Sequence, residues 1–142
     1  MATDQAFVEN LLGIRPDKGS SRLFLANSIE RGLPVAALER LAVAVAPEDI
    51  GFKFRIIAKT TLERRRKSKR LTSEEGDRVA RLAKVFSFAV SIYKKPELAR
   101  AFLTRPHPML DGKAPLDVAL ATGPGADIVI NLLGRAAYGG GV

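Results

Sequence analysis

Apolar residues recur along this chain at the spacing of amphipathic helices, and no stretch alternates apolar and polar residues as a half-buried strand would. The clearest stripe, at positions i, i+3, i+4 and i+7, comprises Leu38, Leu41, Ala42 and Val45. Pro34 suits the first turn of that helix. A preceding helix over residues 22–31 is expected between an N-cap at Ser20–Ser21 and Gly32. The pattern therefore predicts an all-α protein.

Two weaker patterns flank this stripe. Residues 1–19 hold one short amphipathic turn, which we expect to be ordered only where it docks on another element. Its apolar residues are Phe7, Val8, Leu11 and Leu12. On the other side, Pro47 followed by two acids predicts the start of a third helix. Ile50 and Phe54 are its expected core contacts.

The positive charge of the chain is concentrated in one window. The 142 residues carry a formal net charge of +8. Residues 51–70 contain nine basic residues and a single acid, Glu63, whereas the remaining basic and acidic residues number 14 each and cancel. A concentrated excess of this kind is the electrostatic footprint of an anionic partner, most often nucleic acid. The alternative is a basic helix face that is merely solvated.

Within this window, a short connection at residues 56–58 precedes a polar helix over residues 59–67, which is the order of a helix-turn-helix. Leu62 is the expected inward anchor. We expect Thr60, Thr61, Arg64 and Arg65 to face DNA, because Arg can fork onto guanine edges while Lys and Thr hold phosphates. The candidate DNA-binding residues are Lys59, Thr60, Thr61, Arg64, Arg65, Arg66 and Lys67.

A second helical half begins at residue 71, where the basic run stops. Residues 72–75 read Thr-Ser-Glu-Glu, a capping box in which the side chains of Thr72 and Glu75 satisfy each other's backbone amides. The box opens a long helix to about Lys95. Its apolar stripe comprises Val79, Leu82, Phe86, Ala89 and Tyr93. Two acid-first pairs at i, i+4, Glu74–Arg78 and Asp77–Arg81, are expected to brace its surface.

A shorter helix follows the long one. Pro96 starts it, and it is expected over residues 97–103 with Leu98 and Phe102 facing inward. Residues 104–108 contain two prolines, which remove backbone donors and favour extended geometry, so this stretch cannot be a helix interior.

Two further helices complete the chain. Pro115 predicts the start of one that runs to about residue 121, and the Gly-Pro-Gly at residues 123–125 is expected to break the chain. The last helix has the apolar residues Ile128, Val129, Leu132, Leu133 and Ala136. Three parts are therefore expected: a weakly patterned segment over 1–19, a helix-turn-helix DNA-binding domain over 20–70, and a helical domain with a glycine-rich tail over 71–142.

The residue types that most reactions and metal sites require are scarce. The chain has no Cys and a single His, so thiolate and multi-histidine metal sites are excluded. His107 lies between two prolines and is interpreted as a loop residue. No glycine-rich stretch has the Lys-Ser/Thr of a phosphate-binding loop. We expect no catalytic residues, no enzyme activity, no metal, no cofactor and no small-molecule substrate.

The sequence also bears on where the protein works. No apolar run approaches the roughly 20 residues that a membrane helix needs. Residues 1–10 carry two acids and no basic start, unlike a signal peptide. We therefore expect a cytoplasmic protein without a membrane partner.

Three motifs in the second half carry a resemblance to a known family. They are residues 71–82 (LTSEEGDRVARL), residues 102–117 (FLTRPHPMLDGKAPLD) and residues 125–139 (GADIVINLLGRAAYG). In order and spacing this half resembles the toxin-binding domain of the Xre/MbcA/ParS antitoxins, and residues 32–65 are similar to the Xre-type helix-turn-helix that precedes it. The family usually has Ser where Gly76 stands and Trp where Phe102 stands; both changes keep an equivalent structural role.

The resemblance implies a type II antitoxin. Its partner would be a RES-domain toxin that depletes cellular NAD⁺, which the antitoxin neutralises by direct binding. It would also repress its own operon. We further expect a homodimer whose recognition helices read two operator half-sites about one helical turn apart.

The hypothesis for toxin binding is that the last helix and the tail occlude the toxin's active-site cleft. The tail is thin and ends in a carboxylate, which could enter a pocket built for an anionic dinucleotide. The candidate toxin-binding residues are Ile128, Asn131, Leu132, Arg135, Tyr138, Gly139, Gly140, Gly141 and Val142. The alternative that the tail is simply disordered stays open.

Two other functions stay open on the sequence alone. A stand-alone helix-turn-helix transcription regulator would use its helical half for dimerisation or ligand binding. A nonspecific nucleoid or RNA-binding protein would show no preference for an operator over random DNA. A RES-domain toxin gene beside this one would favour the antitoxin.

Overall fold

A computed structural model describes residues 5–16 and 23–137, and these residues form nine α-helices and one 3-10 turn. The helices are α1 (Gln5–Leu12), α2 (Phe24–Arg31), α3 (Val35–Val45), α4 (Lys53–Ile56), α5 (Lys59–Ser68), α6 (Ser73–Tyr93), α7 (Pro96–Thr104), α8 (Pro115–Ala121) and α9 (Gly123–Ala137), with the 3-10 turn at Pro108–Leu110. Over the described residues there is no strand, only an isolated bridge between Pro34 and Arg70. The predicted all-α class is confirmed.

The described residues divide into two compact units, residues 5–83 and residues 84–137, and the division falls inside α6. The expected domain boundaries after residues 19 and 70 stay predictions. The N-cap expected at Ser20–Ser21 lies outside the described residues, and the helix that it was to open begins at Phe24.

The N-terminal helix α1 packs against another helix of the first unit. This agrees with the expectation that the N-terminal segment is ordered only where it docks on another element. Helix α1 packs on α3 and buries Val8 and Leu12 completely. The guanidinium of Arg40, on α3, donates to the backbone carbonyls of Asn10 and Leu11 across 3.0 and 3.1 Å. These bonds tie the last turn of α1 to α3, so α1 is part of the fold.

The helix expected from Pro47 begins six residues later, at Lys53. The side chain of Asp49 accepts the backbone amide of Gly51 across 3.0 Å, a local bond that favours a turn over a helix. This turn leaves Ile50 92% exposed, so its assignment to the core was wrong. Phe52 is buried in its place, and Phe54 is half-buried.

A short antiparallel bridge joins the entry of α3 to the exit of α5. The amide of Leu71 donates to the carbonyl of Leu33 across 2.8 Å, and the amide of Val35 donates to that of Lys69 across 3.2 Å. Lys69 takes the left-handed conformation, with φ of 65°, and ends α5 there. The basic helix is therefore held at its C-terminal end by backbone hydrogen bonds.

The long helix α6 confirms the capping box. The amide of Glu75 donates to the hydroxyl of Thr72 across 3.2 Å, and the amide of Thr72 donates to the carboxylate of Glu75 across 2.9 Å. The expected Asp77–Arg81 pair is present at 3.2 Å, whereas Arg78 donates to the carbonyl of Ile56.

The apolar stripe of α6 is confirmed at four of its five predicted positions. Val79, Leu82, Phe86 and Ala89 are buried, and Tyr93 is half-buried. The helix ends at Tyr93, two residues before the expected end, because Lys94 adopts a left-handed conformation with φ of 69°.

In the second unit, α7 turns its Ala99 and Leu103 inward together with Phe102. Leu98 is 48% exposed, so its expected inward position was wrong; the buried face of α7 follows the i, i+4 pair 99 and 103. The ring of Phe102 lies 5.8 Å from that of Tyr93 and 6.2 Å from that of His107, centroid to centroid.

Helices α8 and α9 pack on each other, and only Thr122 separates them. Residues 123–125, which were expected to break the chain, instead form the first turn of α9. The Thr122 hydroxyl accepts the amide of Gly125 across 2.9 Å, as an N-cap does. A Cβ atom at Gly125 would overlap the carbonyl oxygen of Val118, so glycine permits this close approach.

Candidate functional site

The basic helix α5 is anchored by one apolar side chain. Leu62 is completely buried, as predicted, while the rest of the helix is polar. Thr60, Arg64 and Lys67 follow one another at i, i+4 and i+7 and are all exposed, so they form a single outward stripe. Neither Arg64 nor Lys67 pairs with any residue that the structure describes, which leaves two cationic groups for an external anion.

Arg65 points to the first turn of α6 instead. Its Nε donates to Oε1 of Glu75 across 2.7 Å, and the same oxygen accepts the Thr72 amide. Glu75 is only 6% exposed. Burial alone would raise the pKa of this carboxyl, but the hydrogen bonds from Arg65 and Thr72 outweigh burial, and its pKa lies below the ordinary value.

Arg66 is held on the other flank of α5. Its Nη2 donates to Oε2 of Glu39 on α3 across 3.0 Å, and Oε1 of the same carboxylate accepts from Lys53 on α4, also at 3.0 Å. Burial acts to raise the pKa of Glu39, yet the bonds from Lys53 and Arg66 lower it overall. One carboxylate thus ties α3, α4 and α5 together.

The seven predicted DNA-binding residues therefore separate into two groups. Lys59, Thr60, Arg64 and Lys67 are exposed and have no carboxylate partner within residues 5–16 and 23–137, and Thr61 is half-buried. Arg65 and Arg66 each engage an acid of the protein, and the expectation that Arg65 faces DNA stays a prediction. The capping box marks Glu75 in the sequence as a helix cap; nothing in the pattern marks its ion pair or the role of Glu39.

The second candidate surface is the outer face of α9. Ile128 is 53% exposed, and Asn131 and Arg135 are exposed at i+3 and i+7 from it. Leu132 is 3% exposed and packs in the core, because it lies on the inward stripe with Val129 and Leu133. Its prediction as a toxin contact is therefore corrected. Tyr138, Gly139, Gly140, Gly141 and Val142 lie outside the described residues.

The second unit has an exposed apolar side chain that helical periodicity does not predict. Met109 is mostly exposed in the 3-10 turn, whose first amide is capped by His107. Nδ1 of His107 accepts the backbone amide of Met109 across 3.1 Å. His107 thus shapes the loop that presents Met109.

A metal cluster and a membrane span are both absent from the residues with a described position. Within 5–16 and 23–137, no group of three or more His, Asp or Glu side chains is placed to hold a metal ion. None of the helices in these ranges has both the length and the apolarity to cross a membrane.

Comparison with known proteins adds one finding to this geometry. No curated protein matches the chain. Residues 88–139 match the family model of the antitoxin Xre/MbcA/ParS C-terminal toxin-binding domain. The matched range contains α7, α8 and α9, including the outer face of α9, whereas α5 and the motif at residues 71–82 lie before it. The C-terminal part of the chain, residues 88–139, is therefore similar to the toxin-binding domain of these antitoxins.

Proposed function

We propose that this protein neutralises a RES-domain, NAD⁺-depleting toxin through its C-terminal domain and represses its own operon through α5. The observation that carries the proposal is the family match over residues 88–139, within which α9 presents Ile128, Asn131 and Arg135 outward. An apolar side chain flanked by polar ones on a helix is a common protein-binding surface. The RES identity of the toxin rests on the resemblance of the second half.

Neutralisation would proceed by steric occlusion, and the antitoxin needs no catalytic activity of its own. The face of α9 would dock at the rim of the toxin's active-site cleft. The tail after residue 137 would extend into the cleft and exclude the dinucleotide from it. Arg135 is the charged member of these three outward residues and would pair with an acid of the toxin.

Repression would use the exposed stripe of α5. Arg64 has five guanidinium donors in a planar fork and can engage a guanine edge, while Thr60 and Lys67 can hold backbone phosphates. A homodimer would place two such helices in successive major grooves. Because phosphate contacts dominate affinity, binding should weaken steeply as salt rises, by about 0.9 log units of affinity per log unit of salt for each phosphate contacted.

The experiment that tests this proposal is affinity purification of the tagged full-length protein expressed with its native operon. The expected result is co-purification of the neighbouring gene product as a RES-domain protein, and protection of that operon's promoter in a footprint. Promoter protection without any co-purifying toxin would favour a stand-alone regulator instead. Equal affinity for random DNA would favour a nonspecific nucleic-acid-binding protein.

A further inference from the structure

The first unit contains a basic cleft that α5 does not form. The cleft has a volume of about 300 Å³ and is lined by Arg15, which follows α1, by Arg31 in the last turn of α2, and by Arg70 after α5. None of the described residues that line it is acidic. Three arginines thus line one small cleft, and the part of the chain that the structure describes places no carboxylate in its lining.

The arginines of the cleft differ in this respect from two arginines of α5. Arg65 and Arg66 on α5 each pair with an acid of the protein, at 2.7 and 3.0 Å. In the cleft, Arg15 and Arg31 are exposed and have no ion-pair partner among the described residues. Like charges that share a small volume repel, and an anion between them removes that repulsion.

One of the three groups is held in place by the fold. Nη1 of Arg70 donates to the carbonyl of Gly32 across 2.8 Å, and Gly32, which has a positive φ of 106°, also lines the cleft. The remaining donors of Arg70 are available to a ligand, since a guanidinium has five. The bridge between Pro34 and Arg70 keeps the position of this residue tied to the start of α3.

The start of α3 adds to the positive potential. Pro34 is its N-cap, so no side chain caps the helix, and its first turn contains no acid. The eleven-residue helix therefore presents its positive dipole end beside Pro34, which lines the cleft.

We propose that this cleft binds a phosphate group. Forked guanidinium donors suit the several oxygens of phosphate, and the volume suits a phosphodiester or a diphosphate. Two sources share this chemistry. One is a backbone phosphate of DNA bound at α5, because Arg70 lies just after the end of that helix. The other is a free polyphosphate. The DNA source rests on the proposed operator binding, whereas the free source does not.

The test uses the full-length protein and the double variant Arg15→Ala/Arg31→Ala, which leaves Arg70 and its bond to Gly32 intact. The matched control is Lys84→Ala/Lys113→Ala, which removes two exposed charges of the second unit. Arg15→Lys/Arg31→Lys, which keeps the charge but loses the fork, replaces the alanine variant should that variant not fold. Circular dichroism checks each protein for native helicity.

Each variant is titrated with sodium pyrophosphate at constant ionic strength by calorimetry, and with promoter DNA over a salt series. The cleft variant should bind pyrophosphate about tenfold more weakly or worse, the equivalent of one charge-assisted hydrogen bond, if the source is free phosphate. If the source is DNA, the slope of log affinity for promoter DNA against log salt should be smaller in the cleft variant, by about 0.9 for each phosphate that the cleft no longer neutralises. Either effect, absent from the lysine control, supports the proposal and identifies the source.

Two results would overturn it. One is unchanged binding of both probes by the cleft variant; the other is equal weakening in the cleft variant and the lysine control, which would show a general charge effect. Failure of operator binding itself is recognised separately, because Arg64→Ala/Lys67→Ala removes the α5 stripe and leaves the cleft and its pyrophosphate binding untouched.

Discussion

Nε of Arg65 and Oε1 of Glu75 lie 2.7 Å apart, and that carboxylate oxygen also accepts the amide of Thr72 at the start of α6. One carboxylate therefore caps the long helix and fixes the flank of the basic helix. Because Glu75 is nearly inaccessible to water, its charge depends on these partners. The orientation of α5 is thus tied to the first turn of α6.

This relationship predicts that Glu75→Gln destabilises the fold more than Glu74→Gln does. Glu74 lies in the same first turn but is exposed, so its variant controls for the loss of one negative charge near the helix dipole. The Glu75 variant loses a charge-assisted bond, and we expect its free energy of unfolding to fall by about 2 kcal/mol. Urea denaturation followed by circular dichroism measures the difference; equal effects of the two variants would contradict this role.

The same carboxylate predicts a pH dependence. Its pKa is lower in the folded protein than in the unfolded chain, where a glutamate titrates near about 4.3. Its contribution is therefore fully present above that value and is lost as the pH falls through the lower folded pKa. Glu39 has a lowered pKa too and acts in the same direction. Wild-type stability should fall on acidification below pH of about 4, less steeply in Glu75→Gln; parallel curves would contradict the prediction.

The exposed stripe of α5 predicts which substitutions separate DNA binding from stability. Arg64→Ala/Lys67→Ala should weaken promoter binding at least about tenfold and reduce the salt slope, with little change in melting temperature. Arg65→Ala should instead lower the melting temperature, because it leaves the carboxylate of Glu75 without its cationic partner. Fluorescence anisotropy and differential scanning calorimetry distinguish the two. Normal promoter binding by the Arg64/Lys67 variant would contradict the proposal that this stripe binds DNA.

Two glycines predict opposite effects of the same substitution. At Gly76, within α6, a Cβ would meet Leu33 and Ile29 at ordinary contact distances, so Gly76→Ala should stabilise the protein by about 0.5–1 kcal/mol. At Gly125 a Cβ would overlap the backbone of Val118, so Gly125→Ala should destabilise it by about 2 kcal/mol or more. Thermal unfolding of both variants gives the signs, and a shared sign would contradict the packing of one of these helices.

The tail predicts an effect on inhibition without an effect on the fold. Deletion of residues 139–142 should leave the melting temperature unchanged and reduce protection of cells that express the toxin. The measurement is growth during co-expression with the neighbouring toxin gene. Full protection by the truncated protein would rule out the tail as the plug and leave α9 as the interface.

The sequence predicts this fold best where periodicity and capping agree. The stripe of α3, the anchor Leu62 and the box of Thr72 and Glu75 are all local patterns, and all are confirmed. The failures have separate causes. Ile50 is exposed because the side chain of Asp49 forms a local turn with the amide of Gly51. Leu98 is exposed because α7 buries the adjacent pair of Ala99 and Leu103, and spacing alone does not choose between the two faces.

The candidate sites follow the same division. Composition locates the basic helix, but the separation of Arg64 from Arg65 depends on which acid lies opposite, and Glu75 is ten residues further along the chain. Likewise, Leu132 and Ile128 are both apolar in α9, and only packing reveals that one is core and the other is surface. Contacts between elements, rather than local pattern, decide these roles.

The proposed division of roles assigns toxin binding to α9 and DNA binding to α5. Its most direct test is the growth of cells that co-express the neighbouring toxin with either Ile128→Asp/Arg135→Ala or Arg64→Ala/Lys67→Ala. We predict that the α9 variant fails to protect although it is folded and binds the promoter, and that the α5 variant protects fully. Full protection by the α9 variant, or loss of protection in the folded α5 variant, would contradict this division of roles.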